Sequence, residues 1–452
     1  MSEHTRAPET AEDPVPLSGV DRFFRLTENG TNVRTEIIAG VTTFLAMAYI
    51  IFVNPNILGE TGMDMGAIFV ATCVAAALGT AIMGLWARYP IAQAPGMGLN
   101  AFFAFTVVIG LGIPWETALA GTLMSGFLFF LLAITGVREM IVNAIPLNMK
   151  LAVGAGIGVF IAFIGLKNAG IVVADEATAV TLGDLTVGTT VLAVFGLLVT
   201  AILLIRGLKG AVFYGIIITA VAGLVFGQIG APDAIVGQIP SVAPTFGEAI
   251  VNLPELLTAQ MLIVVLTMLF VDLFDTTGTL IAVANQAGFL DEEGKLPRAN
   301  RALISDSVAT MGGAVMGTST TTSYIESAAG VGAGGRTGLT SVVTSGLFLL
   351  ALPFSPLLAV VTAEVTAAAL IVVGVMMAKG LGQIEWGKME FAIPAFATVI
   401  MMPLTYSIAN GIAMGLFMHT LLMGVKGRHR EIHPIMYGLA VVFLAYFIWF
   451  AE

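Results

Sequence analysis

Three carboxylates lie inside apolar stretches of the sequence, with no basic residue nearby in the chain to neutralise them. Asp272 and Asp275 belong to the run VDLFDTTG (271–278), and Glu326 belongs to the polar run TTTSYIES (320–327). Asp272 and Asp275 are three residues apart, so a helix would project them from one face. A carboxylate accepts hydrogen bonds from N–H groups, and a low dielectric favours its neutral, protonated form. We therefore expect a ligand site in which Asp272 and Glu326 also carry protons.

A second set of candidate groups lies in the stretch QAPGMGLNAFF (93–103), which a proline and two glycines interrupt. Backbone that is not helical can line a cavity, so Gly98 is expected at the ligand. Asn100 offers both a donor and an acceptor. Phe102 could stack on a flat ligand, although core packing is the commoner role of such a ring. Ser323 adds a hydroxyl group from the second polar run.

Each buried acid has an alternative explanation that involves no ligand. A carboxylate can be capped by hydroxyl and backbone N–H groups, and this alternative is strongest for Asp275. Asp306 lies near the end of an apolar stretch and close to Arg301. Glu36 and Glu116 lie at the ends of their stretches and are expected to be solvated.

The composition requires lipid as a solvent. Hydrophobic residues make up 57% of the chain and charged residues only 11%, whereas a soluble domain has about 25% charged residues. The single cysteine, Cys73, excludes a disulfide within the chain, and the four histidines show no metal-ligand spacing. The polar first 20 residues lack the apolar core of a removable signal peptide. No cofactor, metal or nucleic-acid partner is expected.

The stretches that must position the candidate residues are long enough to cross a bilayer, which takes about 20 helical residues. Continuous crossings are predicted at 36–54, 67–87, 115–136, 151–168, 189–206, 211–229, 260–283, 302–318, 338–356, 358–378, 391–408 and 410–425. Two further stretches, 92–110 and 319–335, are broken by Gly, Pro, Ser and Thr, and as discontinuous crossings they bring the total to 14. The apolar tail 434–450 is either a fifteenth crossing or a helix packed on the side of the bundle.

Basic residues indicate the orientation of this all-α bundle. With a cytoplasmic N-terminus, every Lys and Arg except Lys167 falls on the cytoplasmic side, as the positive-inside rule expects. The chain is therefore predicted to be a multi-pass protein of the cytoplasmic membrane.

The 14 crossings divide into two halves of seven that run in opposite directions, and the third crossing of each half is the broken one. Matched interrupted segments in inverted repeats indicate a binding site near the membrane midplane. The predicted organisation is an N-terminal tail (1–34), a first repeat (35–229), an external linker (230–258), a second repeat (259–425) and a C-terminal tail (426–452).

The ligand must suit acids without a partner cation. An anion is disfavoured, because no Lys or Arg lies at mid-membrane depth. A planar, neutral heterocycle with N–H groups matches carboxylates, an amide and aromatic faces. A carboxylate that is protonated on one side of the membrane and deprotonated on the other would couple proton movement to transport.

The chain resembles the AzgA-like purine permeases of the nucleobase–cation symporter-2 family from about residue 20 to 425. The similarity is carried by the runs TEIIAGVTTFLAMAYIIFVNP (35–55), QAPGMGLNAFFAF (93–105), LFDTTGTLIAVANQAG (273–288) and GTSTTTSYIESAAGVGAGGRTG (317–338). The tail 434–450 lies beyond the matching part.

The resemblance implies a core domain (segments 1–4 and 8–11) that moves against a gate domain (segments 5–7 and 12–14). It implies that segments 3 and 10 contain short extended stretches that meet at the ligand. It further implies uptake of adenine, guanine or hypoxanthine with protons, and a homodimer in many relatives. The family's substrate-binding acids fall on Asp272 and Glu326, its amide on Asn100, and a further motif acid on Asp275.

Other functions remain in competition. A related permease for uracil or xanthine would use the same fold, and an anion carrier of the same 7 + 7 plan is less favoured. A channel would not need a matched pair of broken segments. An intramembrane enzyme is disfavoured, because no HExxH, Gly-x-Ser-x-Gly, Ser/His or Cys/His arrangement occurs within the spans.

Overall fold

The structure is a computed structural model that describes residues 19–135, 145–291 and 296–449, and these residues are mostly helical. Among them, eight helices are long and apolar enough to cross a membrane. They are Val33–Gly59, Met65–Ala87, Trp115–Thr135, Leu147–Asn168, Gly188–Ile205, Ala259–Ala287, Ala363–Gln383 and Ile408–Val425. Three shorter helices are also apolar: Met97–Gly110, Ala211–Val225 and Met389–Leu404. The protein is therefore a helical, multi-pass membrane protein.

One predicted continuous crossing, 338–356, is bent. The helix Gly338–Leu350 and the 3-10 helix Leu352–Ala359 meet at 57°. Pro353 and Pro356 follow the break, and proline removes a helical N–H donor, which is a common cause of sharp kinks.

The remaining elements are short or less apolar. The other helices are Gly19–Phe24, Glu248–Val251, Leu253–Leu256, Ala299–Met316, Ser327–Gly332, His429–Glu431 and Pro434–Trp449. The strands are β1 (Gln93–Pro95), β2 (Val172–Asp175), β3 (Ala179–Leu182) and β4 (Thr321–Ser323). Strands β2 and β3 form an antiparallel hairpin between two long helices.

Several helices begin after a residue whose backbone is extended and whose side chain caps the first turn. Asn32 accepts a hydrogen bond from the Thr35 N–H at 3.0 Å, and Asp64 accepts one from the Ala67 N–H at 2.7 Å. Each bond satisfies one of the backbone donors that a helix leaves free in its first turn. Thr258 caps the helix Ala259–Ala287 in the same way.

Glu36 caps a helix to which it does not belong, so the expectation that it is solvated is wrong. Its carboxylate is buried and accepts the backbone N–H of Arg336 at 2.8 Å and that of Thr340 at 3.1 Å. The Thr340 hydroxyl donates to the same carboxylate at 2.7 Å. A negative charge is favourable at a helix N-terminus, so Glu36 joins the first long helix to the start of Gly338–Leu350.

The long helices pack in two groups. In the first helix group Val33–Met47, Met65–Ile82, Trp115–Thr135, Ala259–Ala287, Ala299–Met316 and Gly338–Leu350 contact one another. In the second helix group the members are Leu147–Asn168, Gly188–Ile205, Ala211–Val225, Ala363–Met377, Met389–Leu404 and Ile408–Val425. Each group contains helices from both halves of the sequence, so the two halves interlock.

The linker and the tail are both docked on these groups. In the linker 230–258 the Gly247 N–H donates to the Val315 carbonyl at 2.8 Å, and the Gly237 N–H donates to the Pro353 carbonyl at 2.9 Å. The tail helix Pro434–Trp449 lies against Ile408–Val425.

Candidate functional site

Two short strands from distant parts of the chain meet in the first helix group. Strand β1 pairs antiparallel with β4, with Gln93 opposite Ser323 and Pro95 opposite Thr321. The Gly96 N–H extends the ladder to the Thr320 carbonyl at 2.9 Å. Proline is tolerated here because β1 has a partner on one side only. The predicted extended stretches in 92–110 and 319–335 are thus confirmed, and they contact each other.

A cavity of about 70 Å³ lies beside the strand pair, at the boundary between the two helix groups. The second helix group contributes Val373 and Met377 to its wall. The rest of the wall comes from Tyr49, Gly96, Met97, Gly98, Asp275, Thr279, Thr322, Ser323, Tyr324, Ile325 and Glu326. Movement of one group against the other would therefore change the size of this cavity.

Among the described residues, two carboxylates reach the cavity and no Lys or Arg lines it. Glu326 accepts a hydrogen bond from the Tyr49 hydroxyl at 2.5 Å, through one of its two oxygens. Asp275 accepts one from the Thr322 hydroxyl at 3.5 Å, a long and weak contact. Each acid therefore keeps acceptor capacity for the N–H groups of a ligand.

A second pair of acids lies one layer behind the cavity wall. Asp306 is fully buried and accepts hydrogen bonds from Gln93 Nε2 at 2.9 Å, the Ser323 hydroxyl at 2.9 Å and the Thr276 hydroxyl at 2.8 Å. Asp272 is also fully buried. Its oxygens lie 3.5 Å from the Thr276 hydroxyl and 3.4 Å from the Thr310 hydroxyl, and each of these hydroxyl groups donates its one hydrogen to a closer acceptor. Thr276 thus connects the two carboxyl groups.

This buried network also fixes the strand pair. Gln93 belongs to β1 and Ser323 to β4, and Asp306 bonds to both side chains. Thr310 bonds to the Thr321 carbonyl at 2.9 Å, and Thr80 exchanges hydrogen bonds with the backbone of Gln93. The register of the two strands therefore depends on side chains from neighbouring helices as well as on the ladder.

The structure brings four predicted site residues to the cavity: Asp275, Glu326, Gly98 and Ser323. Three others lie outside its lining. Asp272 is behind the wall, Phe102 is buried in the hydrophobic core, and Asn100 accepts a hydrogen bond from the Ser319 hydroxyl. The buried amide nitrogen of Asn100 has no hydrogen-bond partner among the described residues.

Three functional candidates were not predicted as site residues. Tyr49 and Gln93 carry no charge, and nothing local in the sequence distinguishes them from other polar residues. The sequence does show Asp306 as an acid in an apolar stretch, but it places this acid near the end of the stretch and close to Arg301. In the structure it instead bonds to Gln93, which is 213 residues away in the chain.

Comparisons with known proteins give the family. A model described as "Permease family" matches residues 34–414. The guanine/hypoxanthine permease PbuG of Bacillus subtilis is 56% identical, with 94% of this chain and 99% of the relative covered. The adenine permease AdeQ of Escherichia coli is 42% identical, with 94% of this chain and 95% of the relative covered.

A solved structure supports the fold. The transmembrane domain of the cyanobacterial bicarbonate transporter BicA matches with a TM-score of 0.61 and 15% identity, covering 85% of this chain and 97% of that chain. That likeness concerns the fold alone. The match to the family model and the identity to curated permeases over nearly the whole chain show that this protein belongs to the permease family and is a membrane transporter.

Proposed function

We propose that the protein imports purine bases with protons across the cytoplasmic membrane by alternating access. The observation that carries the proposal is the position of Asp275 and Glu326 in one cavity, which no Lys or Arg of the described part of the chain lines. A neutral purine has N–H groups that can donate hydrogen bonds to two carboxylates. The names of the similar permeases, which refer to guanine, hypoxanthine and adenine, support the same substrate class.

In the proposed site, Glu326 and Asp275 accept hydrogen bonds from the base, while Gly98 and Ser323 border it. Asp272 lies behind them and takes part in proton transfer through Thr276. Asn100 positions the backbone after β1 through its contact with Ser319. Phe102 belongs to the same helix as Asn100, Met97–Gly110, and anchors it in the hydrophobic core.

The cavity must enlarge for a base to enter. Its volume of about 70 Å³ is well below the roughly 300 Å³ at the lower end of small-molecule pockets. Because Val373 and Met377 belong to the second helix group, separation of the groups would open the site. This requirement supports alternating access between two packed domains.

The proposed architecture has 14 crossings in two inverted repeats, 35–229 and 259–425, joined by the external linker 230–258. The first helix group corresponds to the core domain and the second to the gate domain. The distribution of Lys and Arg supports a cytoplasmic N-terminus (1–34) and a cytoplasmic start of the C-terminal tail (426–452). A homodimer is proposed from the family resemblance.

Proton coupling follows from the same acids. A carboxyl group in a low-dielectric cavity can take up a proton from the outer side and release it to the inner side. Glu326 and Asp272 are the proposed carriers. A proton on either group would also change its hydrogen bonding, from acceptor only to donor and acceptor.

The test is uptake of labelled hypoxanthine by cells that express the protein. Unlabelled adenine, guanine, hypoxanthine, xanthine and uracil compete in parallel, with and without a proton-gradient uncoupler. The expected result is concentrative uptake that adenine, guanine or hypoxanthine inhibits most and that the uncoupler abolishes. Uptake that uracil or xanthine inhibits most would favour the related permease, and uptake insensitive to the uncoupler would contradict proton coupling.

An anion carrier is the second candidate, because the fold resembles that of a bicarbonate transporter. The lining of the cavity argues against it, since two carboxylates would repel an anion and, within residues 19–135, 145–291 and 296–449, no Lys or Arg lines the wall to compensate. Competition of hypoxanthine uptake by bicarbonate would support that candidate.

A further inference from the structure

A second cavity lies away from the strand pair, where five helices of the first helix group end or begin. Its volume is about 480 Å³. Among the described residues, five arginines line it: Arg25, Arg88, Arg298, Arg301 and Arg336. We propose that this arginine cavity binds a phosphate ester at the cytoplasmic face of the transporter.

The guanidinium groups are positioned mainly by rings and carbonyl groups. Arg298 lies 4.9 Å from the centroid of the Tyr89 ring, and Arg88 lies 4.9 Å from that of Phe23. Arg336 donates to two backbone carbonyl oxygens, at 2.7 and 2.8 Å. Of the described residues that line the cavity, five are arginines and one, Glu28, is an acid, which lies 3.6 Å from Arg25. The cavity therefore carries a net positive charge.

Backbone conformation supports a specific role for the cavity. Five non-glycine residues of the described part have positive φ, and three of them are arginines of this cavity: Arg25 (57°), Arg88 (61°) and Arg298 (58°). L-residues with a side chain rarely adopt this region, and such strain clusters at functional sites. Arg25 and Arg88 directly follow the ends of helices, and Arg298 directly precedes a helix, so all three arginines lie at helix ends in different segments.

Membrane topology alone does not explain this arrangement. The positive-inside rule requires basic residues near the ends of crossings, but it does not require them to converge. Arg206 and Lys209 satisfy the rule in another loop without lining this cavity. Convergence of five guanidinium groups from four chain segments indicates a ligand.

The chemistry of the wall specifies a phosphate ester. Arginine forms paired, charge-assisted hydrogen bonds with phosphate oxygens. The helix Ala299–Met316 begins at Arg298 without a side-chain cap among the described residues, and the positive end of its dipole also favours an anion. Tyr89 and Phe289 add aromatic surface, with ring centroids 5.8 Å apart. The volume falls in the range of small-molecule pockets. A nucleoside monophosphate and a phospholipid headgroup share this chemistry.

The experiment uses the purified full chain in nanodiscs of phosphatidylcholine. Guanosine 5′-monophosphate is titrated by calorimetry, with guanosine as the probe that lacks the phosphate. A second arm adds phosphatidylglycerol to the nanodiscs and measures retained lipid by native mass spectrometry. The cavity variant is Arg298→Gln with Arg301→Gln, and the matched control is Arg206→Gln with Lys209→Gln.

The expected result is that one phosphate-bearing probe binds the wild type and the control, and that the cavity variant binds it about tenfold more weakly or worse. Binding of the monophosphate but not guanosine identifies a soluble ligand, and selective retention of phosphatidylglycerol identifies a lipid. A second variant, Arg298→Lys with Arg301→Lys, keeps the charge and loses the paired geometry, so it should bind with intermediate affinity. If wild type, cavity variant and control bind both probes equally, or not at all, the proposal is wrong.

Discussion

At the scale of single residues, Glu326 and Asp275 reach the cavity from different elements. Asp275 projects from the middle of a long helix, whereas Glu326 follows the strand β4 and precedes a short helix. Tyr49 holds Glu326 through a hydrogen bond from a third element. A site assembled in this way changes shape when any one of these elements moves.

Replacing either acid with its amide should weaken base binding. In Glu326→Gln or Asp275→Asn the charge is lost, and a hydrogen bond to a charged group contributes about 1.5–3 kcal/mol. The dissociation constant of labelled hypoxanthine for purified protein should therefore rise roughly tenfold to 100-fold. Glu116→Gln is the control, because Glu116 is half-buried at a helix start and does not line the cavity. Unchanged affinity in both cavity variants would exclude these acids as ligands of the base.

Asp306 should matter for binding although it does not line the cavity. Its carboxylate accepts hydrogen bonds from three donors. In Asp306→Asn the amide N–H groups would face some of these donors, which would then lack an acceptor. An unsatisfied buried group costs about 1–3 kcal/mol. We expect a lower melting temperature and weaker hypoxanthine binding, both measured on purified protein. Asp233→Asn, in the exposed part of the linker, should change neither property.

The sequence predicted the acids better than it predicted their partners. Unpaired carboxylates in apolar stretches are visible without a structure because their cost in lipid is high. Which of them faces a cavity depends on the rotation of the helix and on neighbours far along the chain. Asp272 and Asp275 share one helix, yet only Asp275 lines the cavity, and the role of Asp272 as a proton carrier stays a prediction.

At the scale of elements, the two broken segments could be predicted and their pairing could not. Pro95 and Gly96 precede the helix Met97–Gly110 and disfavour its extension towards the N-terminus by local chemistry alone. The register of β1 against β4 is instead fixed by contacts such as Asp306 with Gln93 and Ser323, which join distant parts of the chain. The family resemblance implied the meeting of the two stretches, and local sequence patterns did not.

Close helix packing in the second group should depend on Gly158. A Cβ atom at this position would lie 2.7 Å from the Gly374 carbonyl oxygen and 2.6 Å from Met377 Cβ. Backbone cannot yield to such a clash, and overpacking typically costs about 1–3 kcal/mol. Gly158→Ala should therefore lower the melting temperature and slow uptake.

Gly154→Ala is the matched control for this effect. Gly154 lies one turn earlier in the same helix, and a Cβ there would meet nothing within 4 Å. The control should leave the melting temperature unchanged or raise it, since alanine favours helix more than glycine does. Equal destabilisation by the two substitutions would mean that helix propensity, rather than packing against Gly374, is responsible.

At the scale of the whole molecule, hydropathy and charge predicted a multi-pass bundle, but they did not predict which helices form each of the two helix groups. Both helix groups contain members from each half of the sequence, so no boundary along the chain separates them. The division appears only when helices such as Leu147–Asn168 and Ala363–Met377 are found side by side. The linker was likewise predicted as a connection, and the structure shows it hydrogen-bonded to the bundle.

Relative movement of the two groups can be tested by a reversible cross-link. An ideal Cβ at Gly98, beside the cavity, would lie 3.8 Å from the Cβ of Ile157 in the second helix group, which matches the mean separation of about 3.8 Å in disulfides. The variant Gly98→Cys with Ile157→Cys should lose uptake on oxidation, because its groups can no longer separate, and recover it on reduction. The native Cys73 is buried, so it should contribute little background.

The control cross-link lies within one group. Gly196→Cys with Thr219→Cys joins two helices of the second group, where the built Cβ and the Thr219 Cβ are 3.3 Å apart. Oxidation should leave its uptake unchanged, since no movement between these helices is required. Uptake is compared between the oxidised and reduced forms of each variant, so any direct effect of the cysteines cancels. If the oxidised Gly98–Ile157 pair transports hypoxanthine as fast as its reduced form, the cavity must open by a movement other than separation of the two groups.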